Sequence, residues 1–86
     1  MENNVCFDKA KAIQFLIRSP RYNSSWEYAS ADLNISILEV YKWILKGKKD
    51  FENNVKSELS DFYFVLNYIS PDKVENFIAE SKSLFG

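Results

Sequence analysis

The sequence predicts an all-α fold, a single small domain of five short helices, and three features carry that expectation. Apolar residues make up 47% of the 86-residue chain and charged residues 27%, while Gly and Pro number only two each, too few for a turn-rich sheet protein. Apolar side chains recur at three- and four-residue spacing in several segments, which is the period of a helix face rather than a strand. Short polar residues that start helices, Asp8, Ser24, Ser36 and Ser70, stand just ahead of those segments.

The first helix is expected to begin near Asp8, whose carboxylate can accept from the orphan amides of the first turn. It carries Ile13, Leu16 and Ile17 on one face and stops at Pro20. After a loop from Arg18 to Asn23, Ser24-Ser25-Trp26-Glu27 reads as a capping box, with the Ser24 hydroxyl and the Glu27 carboxylate each serving the other's backbone N–H. Trp26, Ala29 and Leu33 then face inward on a short second helix. Ser36-Ile37-Leu38-Glu39 repeats the box and opens a third helix, with Val40 and Trp43 in its core seam. Gly47 is expected to close that helix in a left-handed conformation. A fourth helix, starting between Asp50 and Asn54, presents Val55, Leu59, Phe62, Leu66 and Ile69 as an amphipathic stripe. Ser70-Pro71 ends it and starts the last helix, Ser70 as cap and Pro71 at the first helical position, lined by Val74, Phe77, Ile78 and Leu84.

Composition also narrows the chemistry. Cys6 is the only cysteine and there is no histidine, so an internal disulfide or a Cys/His zinc site cannot form, and Cys6 has no base to activate it as a nucleophile. No glycine-rich phosphate loop or paired catalytic carboxylates stand out, and no enzymatic activity, metal or cofactor is expected. The absence of a leader or a long apolar run makes a cytoplasmic protein with no membrane contact the expectation. The net charge of −1 conceals an asymmetry: residues 18–49 carry a net +3 and residues 50–86 a net −4.

The basic part coincides with the junction of the second and third helices. Leu33 to Ser36 leave too few residues for an antiparallel return, so the two helices must cross steeply, as in a helix-turn-helix. Leu33 and Ile35 plug either side of the turn, Asn34 tolerates a positive φ, and Ala29 and Ser30 are small enough to permit close approach. These residues, with Val40, Trp43 and Lys46-Gly47-Lys48, resemble the helix-turn-helix of phage-repressor-type (Xre/Cro-like) regulators over Trp26 to about Asp50, and five helices suit that family's lambda-repressor-like domain.

The resemblance implies a bacterial or phage transcription regulator, its helix-turn-helix at residues 26–46, that binds duplex DNA with a recognition helix from Ser36 to Lys46 in the major groove. Ser36, Ile37, Leu38, Tyr41, Lys42 and Leu45 would then face the bases, and Arg18, Arg21, Lys46, Lys48 and Lys49 the phosphates. Ile37, Leu38 and Leu45 can meet thymine methyls but cannot make the bidentate bonds that discriminate bases. Residues 50–86 are expected to carry a second apolar surface around Phe62, Tyr63, Phe64 and Tyr68, either wrapped by the last helix or used as a homodimer surface, because consecutive aromatics cannot all face one core. The rival expectation is a protein-interaction module, such as a phage or mobile-element inhibitor or adaptor, docking the Ile37, Leu38, Tyr41 and Leu45 face on a partner.

Overall fold

A computed structural model describes residues 7–21 and 26–85, without the side chain of Arg21. The described residues form five α-helices and no strand: α1 (Lys9–Arg18), α2 (Trp26–Asp32), α3 (Ile37–Glu52), α4 (Glu58–Ile69) and α5 (Pro71–Phe85), with a 3-10 turn over Ser19–Arg21 after α1. Cys6 and the Ser24 side of the expected Ser24–Glu27 capping box lie outside the described residues.

Local chemistry sets most of the helix ends. Asp8 caps α1 by accepting from the Lys11 N–H at 3.1 Å, and Ser36 caps α3 by accepting from the Glu39 N–H at 3.1 Å. Pro71 opens α5, and the Ser70 carbonyl accepts from the Val74 N–H at 3.0 Å. Asn34 has φ 58° and closes α2, with Ile35 N–H donating to the Ser30 carbonyl and Asn34 N–H to that of Ala31, both at 3.0 Å. This is the Schellman pattern, with asparagine in the left-handed position more often held by glycine.

The same device ends α3, beyond the expected stop at Gly47. Asn54 has φ 59°, Val55 N–H donates to the Asp50 carbonyl at 2.8 Å, and Asn54 N–H to that of Phe51 at 3.2 Å. Gly47 therefore does not terminate the helix. It lies buried inside α3, and a Cβ there would collide with the Leu59 carbonyl oxygen and sit 2.8 Å from the Tyr63 Cβ. Its missing side chain is what lets α4 lie against α3. The fourth helix accordingly starts later than expected, at Glu58, where Ser57 and Ser60 form a reciprocal capping box.

Every helix contributes to one core. Ala12 and Phe15 come from α1, Trp26 and Ala29 from α2, Val40, Trp43 and Ile44 from α3, Phe62, Tyr63 and Leu66 from α4, and Val74 from α5. Phe62 is the hub, its ring 5.8 Å from both Phe7 and Trp43 and 6.3 Å from Phe15 by centroid. Trp26 bridges Phe15 at 5.5 Å and Phe77 at 5.2 Å, which ties α2 to α1 and α5.

Several expected inward residues do not reach this core. Ile13 and Ile17 are about half exposed because α1 turns Ala12 and Phe15 inward, with only Leu16 of the expected trio packing on the core. Val55 precedes α4, and Ile69 and Leu84 lie on helix faces that no neighbour covers, so all three are exposed.

Candidate nucleic-acid interface

The candidate interface is built by the α2–α3 junction and the face of α3 turned away from the core. Four residues, Leu33 to Ser36, separate the two helices. Leu33 and Ile35 pack against the core on either side of Asn34, so the turn is anchored by apolar contacts as well as by its backbone hydrogen bonds. Lys11 Nζ reaches the Asn34 carbonyl at 3.5 Å, a long contact from α1 to the same turn.

Along α3, Val40, Trp43, Ile44, Gly47 and Asp50 are buried, which turns the opposite face outward. Of the six residues expected there, Ser36, Lys42 and Leu45 are exposed and Leu38 is half-buried. Ile37 packs partly against the core. Tyr41 departs from the expectation, being only 8% exposed. Its ring lies 6.3 Å from Phe77 and 5.8 Å from Phe85, because α5 folds back across that flank of α3. The outward face is therefore narrower than a helical wheel implies, with Leu38, Lys42, Leu45 and Lys49 at its centre.

The basic residues divide into two kinds. Lys42 and Lys49 are exposed, and Lys48 is half-buried. Lys46 has a structural commitment, its Nζ donating at 3.0 Å to Oδ1 of Asp50, one turn on and only 6% exposed. The Ser57 hydroxyl donates to the other Asp50 oxygen at 2.9 Å, so this carboxylate locks the end of α3 to the start of α4. Burial acts to raise the Asp50 pKa, but the hydrogen bonds from Lys46 and Ser57 and the charges of Lys46 and Lys49 together outweigh it and hold the group below its ordinary value. This pairing competes with any contact that Lys46, still 46% exposed at its side chain, makes with an anion. Arg18 sits 4.0 Å from Asp32 on α2, and the Arg21 side chain lies outside the described residues.

The expected dimer residues also separate. Phe62 and Tyr63 are buried at 3% and 8%, whereas Phe64 is 53% and Tyr68 82% exposed. Tyr63 belongs to the α3–α4 contact at Gly47, where burial first and then Glu52 and Glu75 push its phenol pKa upward. Sequence reasoning missed the Asp50–Ser57 lock, the covering of Tyr41 by Phe85, and a cavity of about 150 Å³ between α1 and α4. Asn53-Asn54 followed by Ser57 was the readable signal for the first of these; the other two are tertiary contacts without a local signature.

Among the described residues no group of three or more His, Cys, Asp or Glu side chains could hold a metal ion, and no helix is long and apolar enough to cross a membrane. Comparison with known proteins found no matching family model, no matching curated protein and no matching solved structure.

Proposed function

We propose that this chain is a small cytoplasmic DNA-binding transcription regulator without enzymatic activity, a lambda-repressor-like helix-turn-helix domain acting as a homodimer. The observation that carries the reading is the α2–α3 junction, where the positive φ of Asn34 and the Ser36 cap close one helix and open the next within four residues. Lys42 and Lys49 on the outward face, with Lys48 at its edge, supply cations for phosphate, and Leu38 and Leu45 supply apolar contact with thymine methyls. In this reading Ser36 and the first turn of α3 enter the major groove, and the buried Tyr41 does not reach the bases.

Titrating duplex DNA against salt tests this. Each phosphate neutralised contributes about −0.9 to the slope of log affinity against log salt, and replacing Lys42 or Lys49 with Glu should flatten that slope by about one unit each. No binding at low salt by the folded protein would sink the proposal.

A second reading is favoured by one observation. Leu38, Leu45 and the 42% exposed Phe85 border the buried Tyr41, forming an apolar margin where α5 meets α3. Under that reading α3 docks on a protein, so replacing Leu38 and Leu45 with Lys abolishes the partner contact and leaves or improves DNA affinity.

A further inference from the structure

The outer side of α4 is apolar, as is its inner side. Leu59, Phe62, Tyr63 and Leu66 face the core or pack against it, yet Phe64, Val65, Tyr68 and Ile69 are 53%, 38%, 82% and 43% exposed. The exposed Asp61 interrupts this apolar strip, and the Phe51 ring of α3 meets Phe64 at 5.7 Å, leaving Val65, Tyr68 and Ile69 as its uncovered part. Asp61, Phe64, Val65 and Tyr68 stand at i, i+3, i+4 and i+7, the spacing of a seam between paired helices.

The seam has a hole at one end and a knob at the other. Near its start, α1 and α4 flank a half-open cavity of about 150 Å³, walled by Phe7, Ala12, Ile13, Leu16, Phe62 and Val65 and rimmed by Asp61 and by Lys9, which is paired with Glu58 at 3.3 Å. Apolar cavities of about that volume hold a benzene ring. Tyr68, the most exposed large apolar residue among those described, stands seven residues beyond Asp61 on the same face, about 10 Å along the axis. A twofold axis passing between two antiparallel α4 helices, level with Phe64 and Val65, exchanges the two ends and sets position 61 of one copy opposite position 68 of the other.

We infer that a second copy of this chain covers this face, the two α4 helices packing antiparallel with each Tyr68 ring filling the α1–α4 cavity of the other subunit. Each Tyr68 hydroxyl then donates to the opposing Asp61 carboxylate. Phe64 and Val65 meet across the axis, and Ile13 and Ile69 extend the apolar area at its sides. The same patch on both subunits satisfies the self-complementarity that a twofold interface requires. The inference rests on the homodimeric part of the proposed function; it removes buried Tyr63 from the contact, keeps Phe62 only as a cavity wall, and adds Asp61, Val65 and the α1 wall.

The test measures solution mass against concentration without DNA. The native chain should dimerise, and Tyr68→Glu, a change at an exposed position that leaves the helical spectrum intact, should weaken the dimer about 30-fold or more by setting Glu against Asp61. Asp61→Lys added to Tyr68→Glu should restore dimerisation, because each Lys then faces a Glu across the axis. A native chain that stays monomeric at high micromolar concentration, a dimer indifferent to Tyr68→Glu, or a double variant no better than the single would each overturn the inference. A dimer that behaves as expected but does not bind DNA would leave this interface standing and remove the DNA reading instead.

Discussion

Asp50 shows how much one side chain can organise. Read along the chain it is the first acid after a lysine cluster; in the fold it is buried, bound by Lys46 and Ser57, and it gives up its backbone carbonyl to Val55. Because hydrogen bonding and the nearby lysines lower its pKa in the folded state below the ordinary 3.8, the stabilisation it provides is complete above that value and is lost as pH falls through the lower, folded-state pKa. Replacing Asp50 with Asn should cost about 1–3 kcal/mol at neutral pH, by leaving the Lys46 ammonium without its counter-charge and weakening the Ser57 bond. Urea denaturation of both proteins from pH 7 to pH 2.5 should show the gap closing at the acid end. An equal gap across that range would show that the carboxylate charge is immaterial.

At the scale of elements, the decisive contact is α3 against α4, and it depends on what Gly47 lacks. Alanine is worth about 1 kcal/mol more than glycine inside a helix, so propensity alone predicts that Gly47→Ala stabilises the protein. The tertiary contact predicts the opposite, since the added Cβ meets the Leu59 carbonyl and the Tyr63 Cβ, and overpacking of this kind costs about 1–3 kcal/mol. The net effect should be destabilisation of up to about 2 kcal/mol, read from the urea midpoint. A stabilised variant would mean that α4 shifts away freely. The same contact explains why Gly47, a sound C-terminal signal in isolation, did not end α3. Packing Gly47 against α4 and tying Asp50 to Ser57 outweighs a local stop signal, and the helix runs on to the left-handed residue at Asn54.

For the molecule as a whole, the radius of gyration of 11.9 Å matches the value of about 12 Å expected for a folded domain of this length. A domain this small has a total stability of roughly 4–13 kcal/mol. Phe62 joins rings from the segment before α1, from α1 and from α3. Phe62→Ala should therefore cost about 3–5 kcal/mol, a large share of the whole, and its thermal transition should broaden or vanish. A loss below about 1 kcal/mol would show that the aromatic cluster is not the centre of the core.

What the sequence determined by itself is what nearest neighbours along the chain decide. Caps at Asp8 and Ser36, the left-handed turn at Asn34, the proline start of α5, and the inward placement of Trp26, Ala29, Val40 and Trp43 all follow from a few consecutive residues and a 3.6-residue period. Tertiary structure alone decided which face of an ambiguous helix is covered. Ile13, Ile17 and Ile69 are as apolar as Phe15 and Leu66 but exposed, Tyr41 has a polar end yet is buried, and Lys46 answers to Asp50 before any phosphate. The physical reason is that periodicity gives a helix its stripe, whereas burial depends on which neighbouring helix arrives and how closely. Here Gly47 sets the approach of α4, Phe77 and Phe85 set the approach of α5, and between them they define the face of α3 left exposed.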